Sequence, residues 1–148
     1  MKARFNMGRV SPAAYRAIDS LDQYVANSSI APLTQELIRI RTSQINGCAY
    51  CVNAHTQDAL KAGGDAQRIS LIPVWREASN AFTEEEQLVL AITEELTLIH
   101  QHGLSETLYE KAISLFGEKG TADLIMVILT INVWNRIGVG LKMQPELV

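Results

Sequence analysis

Apolar residues recur along this chain at three- and four-residue intervals, the spacing of one helical face, and seldom alternate as a half-buried strand requires. Ala14, Ile18, Leu21 and Val25 form the first stripe. Ser11-Pro12 before them reads as an N-cap followed by proline at the first helical position, so a helix is predicted to about Ala26. Pro32 opens a second helix, with Leu33, Leu37, Ile38, Ile40 and Ile45 on its apolar side and Asn46-Gly47 as its stop. A third runs from about Cys48 to Gly63-Gly64, and Asp65 caps a short one through Leu71, which Pro73 ends. Thr83, with Glu86 three residues on, is a capping box for a helix that reaches about His100 and stops at Gly103. Ser105 caps the next, which ends near Phe116-Gly117, and the last is predicted from about Thr121 to Val139. No Asn-Gly or Asp-Gly pair joins two alternating runs. The pattern predicts an all-α fold: one helical domain of about six to seven helices over residues 1–148.

The last of these helices is apolar on most of its circumference between Leu124 and Val133. Such a helix is either buried on all sides or supplies an interface between copies; in so small a domain the interface, and with it an oligomer, is the expectation. Asn132, Asn135 and Arg136 interrupt the apolar run, and polar groups there need partners, in another subunit or beside a functional site. A membrane span needs about 20 mostly apolar residues, so the run reads as a buried helix. Met1 to Asn6 lacks the apolar core of a secretory signal, and the expected compartment is the cytoplasm. Of the 148 residues 47% are hydrophobic and 20% charged, which predicts a folded chain. The net charge of −3, with no basic cluster, argues against a nucleic-acid footprint or an anionic membrane surface.

The only two cysteines lie together, in Cys48-Ala49-Tyr50-Cys51, and His55 follows one helical turn later. In a reducing compartment such a pair is catalytic or metal-bound more often than a staple. Cys48 falls at the start of a helix, where unpaired backbone N–H groups favour a thiolate. On that helix Cys48, Cys51 and His55 project from one side. If the two helices fold back across Asn46-Gly47, Glu36 turns toward His55, where a carboxylate would orient the imidazole as a base. The competing readings are a zinc site using Cys48, Cys51 and His55 with Glu36 or His100, two inert buried cysteines, and a redox sensor or assembly module whose disulfide alters a partner contact. A c-type haem site would need histidine directly after Cys51, where Val52 stands. His100 and His102 read as helix-end residues, Trp75 and Trp134 as packing or subunit-contact residues, and Tyr15, Tyr24 and Tyr109 as ordinary amphipathic core residues. No cofactor or metal is expected.

Glu36, eleven intervening residues, Cys48-x-x-Cys51, three intervening residues and His55 resemble the signature of the AhpD-like alkyl hydroperoxidases, within the carboxymuconolactone decarboxylase superfamily. The resemblance is densest from Arg39 through Ile45-Asn46-Gly47-Cys48 and Cys51-Val52-Asn53-Ala54-His55 to Thr56, and extends over roughly residues 5–145. It implies an all-helical subunit assembling into homotrimers or homohexamers, and a peroxidase cycling between dithiol and disulfide. By carry-over Cys51 attacks the peroxide, Cys48 resolves the sulfenic acid, and His55 assisted by Glu36 relays protons. The hydroperoxide is the substrate, and a dithiol reductant, in better-known members a lipoyl-carrying protein, restores the pair. Helix-end electrostatics alone favours Cys48 as the more acidic thiol, whereas His55 favours Cys51. Some members carry histidine directly before the second cysteine; here it is Tyr50, a poor base but a hydrogen-bond donor and so an auxiliary candidate. Decarboxylase members lack the cysteine pair, so their chemistry does not carry over.

Overall fold

Prolines set where the first long helices begin, because a fixed φ and a missing N–H cost nothing at a helix's first position. In the computed structural model, which describes residues 2–146, Pro12 opens α2 (Pro12–Ala26) and Pro32 opens α3 (Pro32–Ile45). A single turn, α1 (Met7–Val10), precedes them, capped by the Asn6 side chain. There follow α4 (Ala49–Lys61), α5 (Ala66–Leu71), two short 3₁₀ turns at Ile72–Val74 and Ser79–Ala81, α6 (Glu84–Thr97), α7 (Ile99–His102) and α8 (Glu106–Gly140). Among the described residues every regular element is helical. The capping box forms as read, with the Thr83 hydroxyl and the Glu86 carboxylate each accepting the other's backbone N–H.

The count exceeds the expected six to seven because two single turns carry no periodic signal of their own. One is α1. The other is α7, which the pattern joins to α6 but which the backbone separates at Leu98 (φ −97°, ψ 38°). The opposite happens in α8. Its two predicted parts abut at Gly117, whose φ of 66° and ψ of 178° break the helix in the left-handed half of φ, where glycine carries no Cβ penalty. The second part therefore begins directly after Gly117 rather than near Thr121.

By length and composition α8 could cross a bilayer. Here it is the central helix, packed on α2, α3, α4 and α6. Leu124, Val127, Ile128 and Ile131 are fully buried beside Val25, Ile38, Val89 and Ile92, each worth about 1.5–3 kcal/mol of transfer free energy. A second apolar cluster, Leu37, Ile40, Ile72, Trp75, Phe82 and Leu90, lies on the other side of α3. Ile125 and Leu129, one turn apart on α8, keep an apolar strip in solvent. Tyr15, Tyr24 and Tyr109 are each about two-fifths exposed, which corrects their reading as core residues. Trp75 is a packing residue as read, its indole N–H bonded to Glu94.

Asp123 is the buried charge that locks α8 to the α2–α3 connection. It accepts from the Tyr24 hydroxyl at 2.7 Å, the Ser29 amide at 3.0 Å and the Ser29 hydroxyl at 2.8 Å, and it pairs with Lys119. The Lys119 ammonium, then the Ser29 amide, hold its carboxyl well below the usual carboxylate range despite burial. A lowered folded-state pKa contributes stability that is full above the unfolded-chain value near 4 and is lost as pH falls below it. Asp123→Asn should therefore lower unfolding free energy by about 2–4 kcal/mol at neutral pH. In urea titrations repeated at decreasing pH, its deficit relative to the parent should shrink as the parent loses this contribution.

Candidate active site

The turn between α3 and α4 is built from backbone hydrogen bonds before any site side chain is considered. The Cys48 amide bonds to the Ser43 carbonyl at 2.9 Å and the Gly47 amide to the Gln44 carbonyl at 3.3 Å. With Gly47 at φ +69°, this is a Schellman ending for α3. Its last residue, Cys48, is at once the N-cap of α4, and the Cys48 sulfur accepts the Cys51 amide at 3.3 Å. The sequence placed Cys48 at a helix start, and the structure puts it there. Cys48 and Cys51 are joined as a disulfide, with Cα atoms 5.3 Å apart.

The same turn folds α4 back along α3 and brings the predicted acid and imidazole together. Glu36 Oε2 lies 2.9 Å from His55 Nδ1. A carboxylate only accepts, so Nδ1 carries the hydrogen, and neutral His55 keeps its lone pair on Nε2. The other Glu36 oxygen pairs with Arg39, and Glu36 is 7% exposed, so the carboxylate is both buried and bonded on both oxygens. His55 stands one turn after Cys51, and both line one cleft.

That cleft has a volume of about 590 Å³. Its walls are Tyr50, Cys51, Ala54 and His55 of α4, Tyr15 and Asp22 of α2, and Trp134 and Ile137 of α8, closed on one side by residues 3–8. The N-terminal segment is held there by Arg4, whose amide bonds to the Leu141 carbonyl and whose guanidinium bonds to the Gly140 carbonyl. Tyr50, the auxiliary candidate, is on the cleft wall and partly exposed. Trp134 packs against the buried cluster around α8, as read, and it also lines the cleft. It meets Tyr15 edge-on at 5.2 Å and donates to Asp22 at 2.6 Å, inside the cleft. Burial pushes the Asp22 carboxyl above its ordinary value, against the Trp134 hydrogen bond and the fields of Arg39 and His55.

Asn132 and Asn135 find their partners within the chain. Asn46, in the turn before Cys48, donates to both at 2.9 Å; Asn135 donates to Ser43 and Asn132 to the Ile128 carbonyl. Arg136 bonds back to Asn132. The network pins the α3–α4 turn to α8. Two residues after Arg136, Gly138 faces the disulfide: a Cβ there would lie 2.7 Å from the Cys48 sulfur and 3.4 Å from that of Cys51. Sequence reasoning missed Gly138, Asp22 and Tyr15. The first had a signal, an isolated glycine inside an apolar helix, which marks a close approach; the other two had none.

The zinc set is not assembled as drawn. Its two cysteines are bonded to each other, and His100 lies in α7, which packs on α6. Among the described residues the metal-capable atoms that do converge belong to Glu36, His55 and Asp58. Arg39 already neutralises Glu36 there, which disfavours a cation.

Residues 12–95 match the profile of the carboxymuconolactone decarboxylase family. The chain is 36% identical over 141 residues to the uncharacterized protein YdfG of Bacillus subtilis, covering 95% of both chains. Its structure superposes with a TM-score of 0.95 on a protein of unknown function from Agrobacterium tumefaciens, described as a candidate antioxidant defence protein AhpD, at 35% identity over 99% of this chain and 100% of that one. An uncharacterized peroxidase-related protein from Silicibacter sp. TM1040 shares the fold, with a TM-score of 0.78 at 22% identity over 88% of this chain and 69% of that one.

The Gly138 contact makes a prediction independent of function. Gly138→Ala places a methyl inside the space the sulfurs occupy. Thermal unfolding of the oxidised protein should show destabilisation on the order of 1–3 kcal/mol. The loss should be smaller after reduction, when the sulfurs are free to part.

Proposed function

The chain belongs to the carboxymuconolactone decarboxylase family and has its AhpD-like fold, and from that premise we propose that it is a thiol-dependent hydroperoxidase, cycling Cys48 and Cys51 between dithiol and disulfide. The observation that carries this reading is that Cys51 of the closed Cys48–Cys51 pair and His55, itself paired with the buried Glu36, line the same apolar cleft. In this reading His55 Nε2 takes the Cys51 thiol proton, and Glu36 holds the ring in the tautomer that makes Nε2 the base. The Cys51 thiolate attacks the terminal oxygen of a hydroperoxide. The O–O bond breaks, Cys51 becomes a sulfenic acid, and the departing alkoxide takes the proton back from His55. Cys48 then attacks the Cys51 sulfur, forming the disulfide and releasing the hydroxyl with the Cys48 proton as water. Two electrons pass from the dithiol to the peroxide. An external dithiol, such as that of a lipoyl-carrying protein, returns them.

The aromatic and aliphatic walls of the cleft favour an organic hydroperoxide over hydrogen peroxide, and Tyr50 on the same wall offers a hydroxyl donor for a peroxide oxygen. The exposed Ile125–Leu129 strip supports the homotrimer or homohexamer that the family resemblance implies.

Two measurements test the reading. With cumene hydroperoxide and dithiothreitol, Cys51→Ser and Cys48→Ser should each abolish dithiol-disulfide turnover, and His55→Ala should lower it about 10²-fold or more. The pH profile of Cys51 alkylation in reduced His55→Ala should move to higher pH, with Glu36→Gln between it and the parent. Turnover that survives Cys51→Ser overturns the assignment. A monomer in sedimentation at micromolar concentration would overturn the assembly.

A further inference from the structure

The two bonded cysteines line two different openings beside α4. A helix turns 100° per residue, so Tyr50, Cys51, Ala54 and His55 fall on one side, and they are the α4 residues that line the cleft. Ala49, Val52, Asn53 and Thr56 fall on the other side, and Cys48, the N-cap with extended backbone, sits at the edge between the two sides and opens to the second. Together with Ser43, Gln44 and Gly47 of the preceding turn, they line a separate, shallow groove. Among the described residues none lines both. Gly138 of α8 closes a third side of the disulfide, because its Cα approaches too near for even a methyl.

We propose that these two openings divide the cycle: the hydroperoxide reaches Cys51 through the cleft, and the reductant reaches Cys48 through the groove. The proposal rests on the disulfide being turned over. Thiol–disulfide exchange is an in-line displacement, and the sulfur that leaves most readily is the one best stabilised as thiolate. His55, one turn from Cys51 and held by Glu36, stabilises that thiolate on the cleft side, so the incoming thiolate attacks Cys48. A reductant thiolate forms a mixed disulfide with Cys48 and expels Cys51 as thiolate. The reductant's second thiol, losing its proton, then attacks the reductant's own sulfur, releasing Cys48 and closing the reductant as a disulfide. Two electrons enter the protein, and the two reductant protons end on Cys48 and Cys51.

The groove also specifies the shape of its visitor. Cys48 is 2% exposed at its floor, out of in-line reach of a thiol set rigidly in the surface of a folded donor. A free dithiol, or one at the tip of a slender arm, fits. The exposed wall of the groove is mainly apolar, which suits the hydrocarbon of such a dithiol.

The first experiment uses no peroxide, so it stands apart from the peroxidase reading. The oxidised protein is mixed with 2-mercaptoethanol, quenched with iodoacetamide and sequenced by tandem mass spectrometry. The expected product carries the mercaptoethanol adduct on Cys48 and the carbamidomethyl group on Cys51; the reverse pattern overturns the proposal. The second uses bulk. Ala49→Trp fills the groove and should slow reduction of the disulfide by dithiothreitol on the order of tenfold or more, while oxidation of the reduced protein by cumene hydroperoxide keeps its parental rate. Ala54→Trp, in the cleft, should do the opposite. If both variants slow the same half-reaction, or Ala49→Trp leaves reduction unchanged, the two-sided arrangement is wrong.

Discussion

The left-handed glycine at position 47 is the constraint on which the site depends. Only with Gly47 at φ +69° do the Gly47 and Cys48 amides turn back to satisfy the last carbonyls of α3. That closure does three things together. It ends α3 without orphaned backbone groups, starts α4 at Cys48, and sets the two helices antiparallel, so that position 36 meets position 55. A residue with a Cβ at position 47 meets no steric obstacle, since the surrounding space is open; what it strains is the backbone, and through the backbone all three consequences.

A turn that carries reactive groups must also be held against the rest of the molecule, and here apolar packing is supplemented by a bonded amide network. Asn46 reaches α8 through Asn132 and Asn135, and Asn135 returns to Ser43, whose carbonyl receives the Cys48 amide. Buried amides cost free energy unless they are paired, and paired ones specify one register where leucines would tolerate several. The register matters because Gly138 must arrive opposite the disulfide. A shift of α8 by one residue would bring the isopropyl group of Val139, or the side chain of Ile137, against the sulfurs.

The helical class, the long helices and the placement of Cys48 at a helix start were legible in the sequence because each is encoded locally. Pro12, Pro32, Asp65 and the Thr83–Glu86 box mark helix starts by capping chemistry that acts within four residues. The Glu36–His55 pair was legible for a different reason: a glycine turn between two periodic stretches implies a hairpin, and a hairpin implies which positions face each other. What escaped is what long-range packing decides. Nothing local marks Trp134 and Tyr15 as cleft walls rather than core, because an aromatic at helical spacing serves either purpose. Nor does anything near Asp22 announce a carboxyl partly buried against an indole from the far end of the chain. The break at Leu98 escaped because no glycine or proline marks it.

The sequence left two arguments opposed, one favouring Cys48 as the more acidic thiol and one favouring Cys51. In the folded protein they act at the two ends of one bond. The Cys51 amide points at the Cys48 sulfur, and His55 stands a turn beyond Cys51. An N–H dipole and an imidazole differ in kind: the dipole lowers the energy of negative charge on Cys48 in place, whereas the imidazole also accepts and returns a proton. In the proposed cycle peroxide cleavage needs that return, because the departing oxygen must be protonated; reduction needs only sulfurs able to leave with the bonding electrons, Cys51 beside His55 from the disulfide and then Cys48 beside the dipole from the mixed disulfide. Placing the proton-transferring group beside Cys51 and the fixed dipole beside Cys48 therefore lets one pair of sulfurs serve two half-reactions with different demands.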